Sequence, residues 1–153
     1  MTVVRKLYLQ SSTYFVMYSF VFKLSEENRI KIADVGLAKS KGIVTGTVAG
    51  TYSYMAPEVF DSNLYDTKAD IYSLGIVLWE MWYGQRAYQW PGTVEEFFVW
   101  LKDGNRPVHE SSSDKPPWKN LMMQCWDGNP ETRPTALACK DEIKRVCIQK
   151  KVV

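Results

Sequence analysis

TKADIYSLGIVLWEMWYG, Thr67 to Gly84, is the stretch on which the fold turns. Ile71, Leu74, Leu78, Met81 and Trp82 recur at helical spacing, and Tyr72, Ile76, Val77 and Trp79 fill most of the remaining circumference. Past Lys68 only Asp70 and Glu80 carry charge. Thr67 is placed to cap the helix and Gly84 to end it. A helix apolar almost all round is buried on nearly every side. At about sixteen residues it falls short of the roughly twenty that a membrane span needs. The stretch therefore predicts the central core helix of a globular domain.

The elements on either side fit a helical bundle around it. Pro57 permits a short turn of helix over residues 57–60. Thr93 and Glu96 form a capping box for TVEEFFVWLKD, with Gly104 as its stop. In PPWKNLMMQCWDG, Trp118, Leu121, Met122 and Cys125 share a face, and Gly128 marks the end. In the last helix Thr135 is the cap and Ala136, Cys139, Ile143 and Val146 are the inner positions. Lys140, Lys144, Arg145, Lys150 and Lys151 read as a solvated face and tail. Upstream, RIKIA (Arg29 to Ala33) alternates as a strand, with Ile30 and Ile32 on one face. Gly42, Gly46 and Gly50 then break residues 36–50 into an exposed loop. No Gly-Lys-Ser/Thr follows them, so they make no Walker loop.

The 153 residues, 46% apolar, suffice for one domain with a core. A net charge of +2 is too small to call for nucleic acid or an anionic membrane. Three cysteines and a single histidine, His109, in no metal-ligand spacing argue against a zinc site or a disulfide framework and for a reducing compartment. YFVMYSFVF (Tyr14 to Phe22) has two readings. It is too short for a membrane anchor, and a strand or core segment fits it better.

Five landmarks in order carry a resemblance. Asp34-Val35-Gly36, Ala56-Pro57-Glu58, Asp70-Ile71-Tyr72-Ser73-Leu74-Gly75, Cys125-Trp126 and Arg133-Pro134 resemble those of the protein kinase C-terminal lobe. GTYSYMAPE, LWEM and CWDGNPETRP are similar to the tyrosine-kinase-like branch, and the tail is similar to that of the dual serine/threonine and tyrosine kinases. The fold class implied is mainly α: a kinase-like C-terminal lobe, its helices bundled around one central buried helix, with a short β-hairpin at the start and no N-terminal lobe. The expected organisation is an atypical segment over 1–28, the partial kinase domain over 29–149 and a tail over 150–153.

The resemblance also implies chemistry. Protein kinases move the γ-phosphoryl group of ATP by positioning and charge neutralisation, with Mg²⁺ on the phosphates and an aspartate beside the attacking hydroxyl. Asp34 matches the metal-binding aspartate, although Val35 stands where the family usually has phenylalanine. On its own Asp34 also reads as a loop or capping aspartate. Thr45, Thr47, Thr51 and Tyr54 fall in the activation segment, where phosphorylation orders such loops; the alternative is that they are ordinary loop hydroxyls. Thr51, just before YSYMAPE, resembles the serine/threonine specificity pattern. Glu58 and Arg133 match the family's structural ion pair. Asp70 matches the residue that holds the catalytic loop, and it is also an aspartate favoured by the helix dipole.

The family's His-Arg-Asp loop has no counterpart here. Met1 to Ala33 holds no aspartate, no histidine and no glycine, and Asn28 is its only asparagine. No residue matches the catalytic base, the phosphate lysine or the glycine-rich loop. The aromatic start is then expected to be a replacement segment or translated intron. The 153 residues alone are expected to bind neither Mg²⁺ nor ATP and to be inactive. A non-catalytic, pseudokinase-like interaction module is the alternative, with Phe97, Phe98, Trp100 and Trp118 as its open aromatics or else as core. Protein partners and a cytoplasmic location are expected; nucleic acid and membrane are not.

Overall fold

The computed structural model describes residues 14–17, 20–24, 30–33, 52–61, 66–108 and 116–149. The chain divides into two units, Met1–Tyr52 and Ser53–Val153.

The first unit holds an antiparallel sheet of strands β1 (Tyr14–Met17), β2 (Phe20–Leu24) and β3 (Ile30–Ala33), in the order β1-β2-β3. The register sets Phe22 opposite Ile32 and Leu24 opposite Ile30, so the alternation of RIKIA continues across β2. The expected hairpin is thus part of a three-stranded meander, and the aromatic stretch supplies its first two strands.

The second unit is helical. A short 3₁₀ turn over Tyr52–Tyr54 leads to α1 (Pro57–Asp61), followed by α2 (Lys68–Tyr83), α3 (Val94–Lys102), α4 (Lys119–Cys125) and α5 (Ala136–Gln149). The central helix forms where expected, but its start differs. Thr67 is itself in helical conformation and makes no side-chain cap. The Asp66 carboxylate instead accepts the Lys68 N–H at 2.8 Å. Both residue types cap well, and here the residue one position earlier supplies the acceptor. At the far end Gly84 adopts the left-handed conformation (φ 65°), and its N–H bonds to the Glu80 carbonyl at 2.8 Å.

The buried side of α2 is not the stripe read from periodicity. Tyr72, Ile76 and Trp79 are buried with Ile71 and Leu78, while Leu74 and Trp82 are half-buried and Met81 reaches solvent. On a helix apolar around nearly its whole circumference, the neighbouring helix decides which side closes. That neighbour is α4, and Gly75 sets the approach. A Cβ built on Gly75 would stand 3.0 Å from the Cys125 Cβ and 3.1 Å from the Met122 carbonyl oxygen. Leu121, Met122 and Cys125 of α4 are buried accordingly, and the Trp118 indole N–H donates to the Leu78 carbonyl at 3.2 Å.

The capping box of α3 is complete. The Thr93 hydroxyl accepts from the Glu96 N–H at 3.2 Å, and the Glu96 carboxylate accepts from the Thr93 N–H at 2.9 Å. Phe97, Phe98 and Leu101 are buried, and Trp100 and Trp118 are half-buried, so the core alternative holds for both phenylalanines. In α5 the Thr135 hydroxyl caps the Ala138 N–H. Cys139 and Val146 face inward, but Ala136 is exposed, since the first helical turn lies past the edge of the core. Among the described residues no helix is long and apolar enough to cross a membrane.

Candidate functional site: a buried arginine anchor

Arg133 sits in the loop between α4 and α5 with its side chain fully buried. A guanidinium there demands a partner for nearly every N–H, because a buried unpaired charge is costly. The loop supplies the geometry. The Asp127 carboxylate accepts the Asn129 N–H at 2.8 Å, the Asn129 side chain accepts the Glu131 N–H at 3.1 Å, and a 3₁₀ turn over Pro130–Thr132 delivers Arg133. Its Nη1 and Nη2 donate to the two oxygens of Glu58 at 2.6 and 2.9 Å, the bidentate fork for which arginine is suited. Nε donates to the Asp127 carbonyl at 2.9 Å and Nη1 also to the Lys68 carbonyl at 3.0 Å.

Lys68 returns the bond, its Nζ donating to the Arg133 carbonyl at 2.5 Å. The guanidinium lies over the ring of Tyr72, 5.2 Å from its centroid, and Arg106 lies 5.4 Å from the same centroid. Arg106 in turn holds the carbonyls of Trp126 (2.7 Å), Leu101 (3.0 Å) and Asn105 (2.7 Å), which ties the end of α3 to the end of α4. Burial, above all, raises the phenols of Tyr72 and Tyr88 beyond their ordinary range. The two rings sense one another's hydroxyls, yet neither completes a hydrogen bond of normal geometry.

A second fastening lies at the other end of α2. The buried Tyr54 donates its hydroxyl to Glu80 Oε2 at 2.7 Å, and the Ala87 N–H donates to Glu80 Oε1 at 2.9 Å. Between the two, the Ser73 hydroxyl donates to the Tyr54 carbonyl at 2.8 Å. The stretch from Tyr54 to Glu58 is therefore tied to α2 directly at Tyr54, through Glu80 and Ser73, and indirectly at Glu58, through Arg133, which also holds the Lys68 carbonyl.

The structure brings Glu58 and Arg133 together. Tyr54 is at the same platform, but its hydroxyl points into the helix bundle. Asp70 stands on the exposed side of α2 with no hydrogen-bond partner among the described residues, and partial burial raises its carboxyl. Asp34, Thr45, Thr47 and Thr51 lie outside the described residues. The roles of Lys68, Glu80 and Arg106 were not read from the sequence. Lys68 and Arg106 act on backbone carbonyls, which leave no sequence pattern. Glu80, however, was a carboxylate within a nearly all-apolar helix, and that alone signals a partner.

A sequence profile of the family described as protein tyrosine and serine/threonine kinase matches residues 22–143. The chain belongs to the protein kinase family. The match opens within β2, ahead of the start at 29 expected from the motifs. Similar proteins include the dual serine/threonine and tyrosine protein kinases of Pimephales promelas (35% identical), Danio rerio (34%) and Bos taurus (34%), each aligned over 115 residues and covering 72% of this chain. The chain spans only 12–13% of the length of these relatives. The Glu58–Arg133 pair lies within the matched region.

Protein kinases use ATP and Mg²⁺. Asp34, to which the resemblance assigns the metal, lies outside the described residues. Among the described residues no three side chains of metal-ligating type gather. An open cavity of about 250 Å³ beside Glu58, bordered by Lys102 and Arg106, is below the roughly 300–1,000 Å³ usual for small-molecule pockets.

Proposed function

We propose that these residues are the substrate-side scaffold of a protein kinase domain whose reaction is ATP-dependent phosphorylation of protein serine or threonine, and of tyrosine in the dual-specificity manner. The 153 residues on their own do not carry that reaction out. The observation that carries the proposal is the buried Arg133 bound bidentately to Glu58. It fixes the end of the activation segment to the helices, which is a positioning task in a reaction governed by positioning. The groups that would grip the nucleotide have no match in the sequence save Asp34, which retains the metal-ligand position. A cytoplasmic location and protein partners belong to the same proposal.

The test is nucleotide binding and turnover by the purified 153-residue chain. With millimolar ATP and Mg²⁺ no thermal shift is expected, and a γ-labelled phosphoryl group should not reach a general protein substrate above the level seen with Asp34→Ala. A shift, or transfer that Asp34→Ala abolishes, would overturn the claim of inactivity.

A second reading, the non-catalytic interaction module, draws on one observation. Phe60 is stacked on Phe98 at 4.3 Å yet remains 42% exposed, and Val99 beside it on α3 is 59% exposed. These two, rather than the buried Phe97 and Phe98, are the positions to vary. Equal binding of a kinase-domain partner by the native chain and by a Phe60→Ser/Val99→Ser variant would remove this reading.

A further inference from the structure

Cys125 closes α4, and Cys139 lies in the second turn of α5. Both are fully buried, both are free thiols, and their sulfurs stand 3.8 Å apart. Cys147, on the same helix as Cys139, is exposed. In the reduced state the pair packs as two small apolar groups with a weak S–H···S contact. We propose that Cys125 and Cys139 are a dithiol–disulfide site whose oxidation covalently closes the loop carrying Arg133.

The sulfurs are already in contact at 3.8 Å. A disulfide needs its sulfurs at about 2.05 Å. Cysteine has one rotatable side-chain bond, so small rotations at both residues must share the approach. Cys125 cannot contribute by shifting its backbone, because its Cβ already lies against α2 at Gly75. Cys139 has more freedom: α5 is an edge helix, with Leu137 and Ile148 largely exposed and only Cys139 and Val146 buried among its apolar residues.

The enclosed stretch runs from Trp126 to Ala138 and holds Asp127, the turn over Pro130–Thr132 and Arg133. A cross-link over so short a loop restricts the unfolded chain and favours the folded loop.

The oxidant is a small-molecule disulfide such as oxidised glutathione. One protein thiol loses its proton and attacks a sulfur of that disulfide, forming a mixed disulfide and releasing one thiolate, which takes up the proton. The second protein thiol, deprotonated in turn, attacks the protein-side sulfur and releases the second small thiol. Two electrons leave the protein pair, and two small thiols form. Burial raises both protein thiols above their ordinary range, so thiolate is scarce and the exchange waits on opening at α5.

The full chain is incubated with oxidised glutathione under native conditions and in urea, blocked with N-ethylmaleimide, digested and mapped by mass spectrometry. Under native conditions the Cys125–Cys139 linkage should dominate, with Cys147 either free or carrying glutathione. In urea all three pairings should appear. Cys147 should react about ten times faster than the pair or more. Closing the bond should raise the melting temperature, and dithiothreitol should reverse the rise. Native pairing of Cys147 with either partner would overturn the proposal. So would retention of both buried thiols after a day's equilibration, or a lower melting temperature on closing the bond.

Discussion

Two fastenings, one beside each end of α2, hold the same short segment by different chemistry. At the N-terminal end a fully buried guanidinium grips the Glu58 carboxylate with two bonds and backbone carbonyls with two more. At the C-terminal end the Glu80 carboxylate, half-buried, accepts one phenol and one backbone N–H. Removing a partner in the first place strands a charge away from water. In the second place water can approach the acceptor that remains. The two fastenings therefore differ in what their loss costs, even though both hold the same piece of chain.

The largest effect should come from the buried end. Glu58→Ala leaves Arg133 uncompensated and should lower the unfolding free energy by about 3 kcal/mol, the lower part of the range for a broken buried pair. The lower part is expected because the Glu58 side chain is 24% exposed. Urea denaturation of the two chains measures it, and a loss comparable to that at the other end would erase the contrast. Next is the middle of the helix. Gly75→Ala pushes a methyl group against the Cys125 Cβ and the Met122 carbonyl, with a cost of about 1–3 kcal/mol in the same experiment. The substitution is neutral only if α4 can retreat. At the C-terminal end Tyr54→Phe removes one hydrogen bond to a carboxylate and should cost about 1.5 kcal/mol.

The smallest effects are at two aspartates whose pH dependences have opposite sign. The Asn129 N–H, then Thr132, holds the Asp127 carboxyl below its ordinary 3.8. Its contribution is present above that pH and is lost as pH falls through the folded value. Asp127 is exposed, so the gain is small. Burial raises Asp70 above 3.8, so stability is lost as pH rises from 3.8, and the loss is complete above the raised value. Urea midpoints followed from pH 3 to pH 7 (about the span of carboxylate titration) should rise less steeply in Asp127→Asn than in the native chain. In Asp70→Asn they should rise more steeply, with stability at pH 7 equal or slightly higher.

Much of this was legible in the sequence, and the reasons are physical. Gly84, the Thr93–Glu96 box and Thr135 act within one helical turn, so their local pattern carries the information. The Glu58–Arg133 pair, far apart along the chain, was legible only through the resemblance of Ala56-Pro57-Glu58 and Arg133-Pro134 to kinase landmarks. Which side of α2 is buried was not legible, because an almost wholly apolar helix has no polar face to orient it. The bonds from Lys68 and Arg106 to carbonyls were not legible either, since any residue type supplies that acceptor. Of the implied chemistry, Asp34 and the loop threonines fall outside the described residues, and the Glu58–Arg133 contact is the portion that the structure describes.

The most direct test of that anchor is a double-mutant cycle on Glu58→Gln and Arg133→Met, read by urea unfolding. If the two side chains act as one buried unit, the double variant should be less destabilised than the sum of the singles, by about 2 kcal/mol or more. A coupling near zero would contradict the account: Glu58 and Arg133 would then stabilise the helices separately, and the stretch from Tyr54 to Glu58 would not be fastened through their contact.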